Sequence, residues 1–134
     1  MAGLMLKLPA GDRIVVNGAV IENVGRGARL RLLTPDTQLL RLRDAIDPAA
    51  ATTPVGRLAH NVQMMLIGEM DPRTGLAEAL ATLPPLRHAF MTREDRACID
   101  AVGEALRDGQ FYQALRRLGP LRRREAALLA GSLP

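Results

Sequence analysis

Arginine alternates with leucine twice in the first third of this 134-residue chain, as Arg29-Leu30-Arg31-Leu32 and as Leu40-Arg41-Leu42-Arg43. A guanidinium is always charged, and its planar fork matches phosphate or carboxylate oxygens two at a time. Side chains on an extended strand point alternately to its two faces. Arg29 and Arg31 therefore share one face, as do Arg41 and Arg43, while the leucines take the other. Lys7, the sole lysine, adds a cation in the first apolar run. Such a row is either the solvated outer face of a half-buried sheet or a face that holds an anion. A second basic group, Arg116, Arg117, Arg122, Arg123 and Arg124, faces only Glu125 among the acids of residues 109–134.

Other chemistries lack their residues. No acidic pair sits in the apolar context that would poise it for proton transfer. His60, His88 and Cys98 are too scattered for a zinc set, so no metal or cofactor is expected. Gly25-Arg26-Gly27 lacks the rest of a phosphate-loop spacing, and a hairpin turn accounts for its glycines. The one serine, Ser132, lies in the tail. The chain is expected not to be an enzyme.

The arginines need strands to position them. Four apolar runs, Leu4–Leu8, Arg13–Val16, Ala19–Val24 and Ala28–Leu33, are separated by Pro9-Ala10-Gly11, Asn17-Gly18 and Gly25-Arg26-Gly27. Asn-Gly is the strongest short hairpin signal, because both central residues of a type I′ turn need positive φ. After Thr34-Pro35-Asp36 a fifth run spans Thr37–Arg43. With period two, Leu30, Leu32, Leu40 and Leu42 are expected inside and the arginines outside.

Helical signals take over after Asp47. Thr52 or Thr53 caps a helix with Pro54 in its first turn. Leu58, Val62, Met65 and Leu66 then form an apolar stripe to about Met70. A segment from Leu76 to Leu83 is expected to stop at Pro84-Pro85, with Leu86–Met91 as a short turn. Thr92-Arg-Glu-Asp95 has capping-box spacing, and its helix closes at Gly109. A last helix runs from Gln110 to Leu118, is kinked or restarted by Gly119-Pro120, and reaches Ala130; residues 131–134 are expected to fray. Strands first and helices second make an α+β chain. It divides into an antiparallel five-strand β module (1–47), a connector (48–54) and a helical domain (55–131). So small a sheet is marginal alone and needs the helices or a second copy of itself, hence an expected homodimer.

Composition narrows the partners. The net charge of +4 favours a polyanion. Aromatic content of 2% argues against a single-strand binder built on stacked rings. A lone cysteine forms no internal disulfide. With neither a signal-peptide pattern nor an apolar run of membrane length, the expected location is the cytoplasm and no membrane contact is expected.

The stretches LKLPAGDRIVVNGAVIENVGRGARLRL, ATTPVGRLAHNVQMM and DGQFYQALRRL together resemble the flagellum biosynthesis repressor FlbT family. The resemblance covers nearly the whole chain. It implies a post-transcriptional repressor that associates with the 5′ untranslated region of flagellin mRNA and promotes its decay, in functional partnership with the regulator FlaF. Residues 4–46 alone are also similar in strand plan to the RNA-binding carbon storage regulator CsrA family, which implies a strand-swapped dimer that reads GGA-containing leaders. Arg43, followed by Asp44, Ala45 and Ile46, falls on that family's arginine beside an acid and an isoleucine, and Leu6 on a contacting leucine. Where that family has paired arginines, this chain has Leu8 and Pro9, leaving Lys7 as the cation of the first strand.

The expected RNA-binding residues are thus Lys7, Arg29, Arg31, Arg41 and Arg43, with Arg116, Arg117, Arg122, Arg123 and Arg124 as a secondary patch. The rival is an adaptor that binds flagellin or another flagellar protein. In that case the helical stripes at Leu58–Leu66 and Phe111–Leu118 offer a groove for a partner helix.

Overall fold

The computed structural model describes residues 4–17, 19–34, 37 and 39–131. Gly18 of the hairpin turn, Pro35 and Asp36 of the proline turn, Gln38 of the fifth run and tail residues 132–134 lie outside them.

The fold is α+β. Five antiparallel strands, β1 (Leu4–Leu8), β2 (Arg13–Val16), β3 (Ala19–Glu22), β4 (Ala28–Leu32) and β5 (Leu39–Arg41), form two small sheets, β1–β4 and β3–β2–β5. Val16 pairs with Ala19 across a two-residue connection, and Asn17 has φ of 49°, as a type I′ turn requires. Four helices follow: α1 (Pro54–Leu66), α2 (Pro72–Ala89), α3 (Arg93–Arg107) and α4 (Phe111–Leu129). Each touches its neighbours in the closed ring α1–α2–α3–α4. One hydrophobic core joins the two halves: Leu6, Leu39, Leu40 and Ile46 pack with Val55, Leu58, Val62, Ile99, Leu106 and Leu118.

The helix ends follow local chemistry. Thr53 caps α1 by accepting from the Gly56 N–H at 3.1 Å, and Thr92 caps α3 by accepting from Asp95 N–H at 3.1 Å. At the end of α3, Gly109 takes φ of 73°. The Gly109 and Gln110 N–H groups then donate to Leu106 and Ala105 carbonyls, a Schellman closure. The same closure at Gly68 ends α1 at Leu66, short of the expected Met70: Gly68 N–H donates to Met65 and Glu69 N–H to Met64.

Other boundaries also differ from expectation. Helix α2 starts at an Asp71 cap and runs straight through Pro84-Pro85. Both prolines are exposed, so water can satisfy the carbonyls they leave unpaired, while Leu83 and Leu86 on the opposite side are buried in the core. Helix α4 is likewise continuous through Gly119-Pro120, held by buried Leu118 and Leu121. In the stripes of α1 and α4, Leu58, Val62, Met65, Leu66, Leu115 and Leu118 are buried in the core and Phe111 is partly buried against it, where the two helices pack on each other.

The leucine–arginine alternation is only half realised. Strand β5 ends at Arg41, and Leu42–Asp44 form a 3-10 turn that breaks the period. Leu42 is 40% exposed, whereas the Arg41 side chain is 11% exposed, the reverse of the expected orientation. Leu30 is exposed too and Leu32 only half-buried against the core, whereas Leu39 and Leu40 of β5, the strand that α1 contacts, are buried.

Candidate nucleic-acid interface

Three of the expected cations come together. In the β1–β4 ribbon Lys7 is registered with Arg29, and Met5 with Arg31. Directly opposed residues of an antiparallel pair point to the same face, so Met5, Lys7, Arg29 and Arg31 make up the outer one. The other face carries Leu6 and Leu8, both buried. Opposed side chains lie about 5 Å apart and every second residue about 7 Å further along, so the cations form a compact triangle. Among the described residues no carboxylate forms an ion pair with any of the three; Arg31 Nε approaches only Met5 Sδ, at 3.3 Å. Two like charges held directly opposite are mildly destabilising unless something neutralises them.

Arg41 has a different task. Its Nε donates to Asp44 Oδ2 at 2.8 Å, its Nη2 to Asp44 Oδ1 at 3.3 Å, and its Nη1 to the Lys7 carbonyl at 3.0 Å. Asp44 Oδ2 also accepts from the Tyr112 hydroxyl of α4 at 2.6 Å. Arg41 thereby ties the strand that carries Lys7 to the helical half. Arg43 Nε stands 2.9 Å from Asp12 Oδ2, half exposed, at an angle that makes an ion contact and not a hydrogen bond. The five expected residues therefore divide: Lys7, Arg29 and Arg31 present their charge outward, while Arg41 and Arg43 are neutralised within the fold.

Asn23 is a positioning residue that sequence reasoning missed. Its side-chain amide donates to the carbonyls of Leu8 and Arg26, both at 2.8 Å, and its Oδ1 accepts from Gly25 N–H at 3.1 Å. Its backbone pairs with Gly11 and Asp12. It clamps the end of β1 to the turn entering β4 and so fixes the register of Lys7 against Arg29. An Asn two residues before a Gly in a turn was the available signal.

The α4 arginines do not form one track. A seven-residue spacing puts Arg116 and Arg123 on one side, and Arg117 and Arg124 on another. Arg124 pairs with Asp95 at 3.0 Å, and Arg116 lies 6.0 Å over the Tyr112 ring. Arg122 and Arg123 line a surface cavity of about 380 Å3 beside Thr53, Gly56 and Glu125. Glu125, buried, accepts from Val55 N–H at 3.0 Å and so caps α1 from α4. No group of three or more metal-ligating side chains occurs among the described residues, and no helix there is long and apolar enough to cross a membrane.

The Arg41–Asp44–Tyr112 cluster makes stability depend on pH at both ends. Burial pushes the Asp44 carboxyl up, but the hydrogen bonds from Arg41 and Tyr112 outweigh it and hold it below the usual carboxylate range. Burial and the Asp44 hydrogen bond raise the Tyr112 phenol well above its usual value. A lowered carboxyl stabilises the fold above its unfolded value of about 4, and that contribution disappears as pH falls. A raised phenol stabilises it below about 10, and that contribution disappears as pH rises. Asp44→Asn should therefore flatten the acid limb of the urea-midpoint profile, and Tyr112→Phe the alkaline limb. Profiles parallel to wild type would refute both assignments.

The family described as flagellar protein FlbT matches residues 4–129. A probable flagellum biosynthesis repressor protein FlbT of Brucella anthropi is 34% identical over 134 residues, covering 98% of this chain and 85% of the relative. Its namesake in Brucella ovis is 34% identical over 129 residues, covering 94% and 82%. The one in Brucella abortus is 32% identical over 126 residues, with the same coverage. No solved structure matches the chain.

Proposed function

Because this chain belongs to the flagellar protein FlbT family, we propose that it represses flagellin synthesis after transcription, by binding the 5′ untranslated region of flagellin mRNA and promoting that message's decay. The relatives are named for flagellum biosynthesis and for repression, and not for a reaction. Decay then falls to a nuclease other than this chain, with FlaF as functional partner in the cytoplasm.

One observation supports RNA as the ligand: the outward triangle of Lys7, Arg29 and Arg31, with no carboxylate paired to it among the described residues. Phosphates of a nucleic-acid strand would neutralise the opposed charges of Lys7 and Arg29 and accept both edges of a guanidinium. The ribbon has no ring on this face, so affinity would come from phosphate contacts, with Met5 as the apolar neighbour of Arg31.

The test is an electrophoretic shift with pure, nuclease-treated protein and a flagellin leader transcript. Three phosphate contacts on a single strand give a slope of log affinity against log salt of about −2, or roughly 20-fold weaker binding at 200 than at 50 mM. Shifts indifferent to salt would overturn the phosphate contacts. A protein that leaves the leader unshifted yet retains flagellin would favour the adaptor.

A further inference from the structure

Strand β3 is an open edge. It is hydrogen-bonded to β2 on one side only, and all four of its residues are exposed. Val20 and Ile21, on opposite faces, are 64% and 48% exposed, and Val24 just beyond is 89% exposed. Of the nine large hydrophobic side chains exposed among the described residues, seven lie between Met5 and Leu42. The helical half contributes only Met91 and Leu129.

An open edge presents a row of unpaired N–H and C=O groups, and proteins usually blunt it with lysine, proline or a bulge. The open edge of β4 carries Arg29 and Arg31. Strand β3, Ala-Val-Ile-Glu, carries no proline and no cation, and its one charge, Glu22, is tied back to Arg13 at 2.9 Å.

We propose that β3 is the interface between two copies of this chain, joined as an antiparallel β3–β3′ pair into one sheet ordered β5–β2–β3–β3′–β2′–β5′. A second copy fits for three reasons. An antiparallel strand pair is self-complementary about a two-fold axis, the commonest symmetry of homo-oligomers. Each face of β3 carries one exposed branched side chain, Val20 beside Glu22 on one and Ile21 beside Ala19 on the other, so a copy brings one of them against its like. Charge agrees as well: with the axis normal to the sheet, paired residues share a face, so either Val20 opposes Val20′ or Ile21 opposes Ile21′. In neither register does Glu22 face Glu22′. The inference is independent of RNA binding.

The test uses the full chain. Sedimentation equilibrium should give twice the 14.5 kDa chain mass, and Val20→Lys combined with Ile21→Lys should give a monomer with unchanged helical circular dichroism. Single cysteines then separate β3 from other interfaces without loss of the fold. In a Cys98→Ser background, either Val20→Cys or Ile21→Cys, but not both, should oxidise rapidly to a covalent dimer. Opposed Cα atoms at 4.5–5.5 Å lie within about the range a disulfide spans. Met91→Cys, 78% exposed, should not. A wild-type monomer at every concentration, or cross-linking at Met91→Cys as fast as in β3, would overturn the proposal.

Discussion

Replacing Lys7, Arg29 and Arg31 together by alanine should weaken binding of a flagellin leader RNA by on the order of 100-fold or more and leave the melting temperature unchanged or slightly raised. A hydrogen bond to a charged partner contributes about 1.5–3 kcal/mol where water is displaced, and every 1.4 kcal/mol is tenfold in affinity. Even at half of that range per contact, three cations total about 2.3–4.5 kcal/mol, on the order of 100-fold or more. The stability arm follows from geometry. Lys7 and Arg29 stand directly opposite each other with no acid to reconcile them, and removing like charges from an opposed pair relieves a few tenths of a kcal/mol. Arg41→Ala should behave in the opposite way. It leaves the Asp44 carboxylate with Tyr112 alone and frees the Lys7 carbonyl, so it lowers stability by about 1–3 kcal/mol. Fluorescence anisotropy with a labelled leader, beside thermal melts of both variants, separates the two roles. If the triple variant binds as wild type does, the ribbon is an ordinary solvated face.

What could be read from the chain alone depended on how far away the deciding partner lies. Strands β1 and β2 match their expected bounds because apolar alternation and the flanking turn residues are local. The Thr92 cap and the Gly109 closure are legible for the same reason: each is settled within four or five residues. Period two also grouped Arg29 with Arg31 correctly. It could not say which face the helices cover, and there the expectation failed. Arg41 turns inward because Asp44 and Tyr112 wait for it, and Tyr112 is 68 residues from Asp44 in sequence. Leu30 stays exposed while Leu39 and Leu40 of β5 are buried in the core shared with the helices. Prolines 84 and 85 looked like a stop, yet tertiary burial of Leu83 and Leu86 carried α2 across them, an outcome no local propensity contains. The α4 arginines were adjacent in sequence and diverge in space, since neighbours on a helix point about 100° apart.

The largest loss of stability is expected at Gln63, a residue that no sequence signal marked. Its side-chain amide acts as a peptide group for the chain leaving β5: Oε1 accepts from the Ile46 N–H at 2.6 Å, and Nε2 donates to the Ile46 carbonyl at 3.1 Å. Gln63 is 6% exposed and Ile46 3% exposed, so water cannot replace either bond. Truncation strands two buried backbone groups at once, each costing about 1–3 kcal/mol, and Gln63→Ala should lose about 2–5 kcal/mol in urea unfolding. Gln63→Leu should do no better, because it restores volume but neither hydrogen bond. Gln63→Glu keeps one acceptor for the Ile46 N–H and turns a carboxylate toward the Ile46 carbonyl, so it should fall between wild type and alanine only at pH low enough to protonate it. A cost below about 1 kcal/mol for Gln63→Ala would mean that the connector settles elsewhere without penalty. The damage should also be local before it is global. Ile46 follows Asp44 closely, and fixing it holds β5 and Arg41 against Tyr112. Amide exchange at Leu40 and Arg41 should therefore accelerate in Gln63→Ala while α3 and α4 keep their protection.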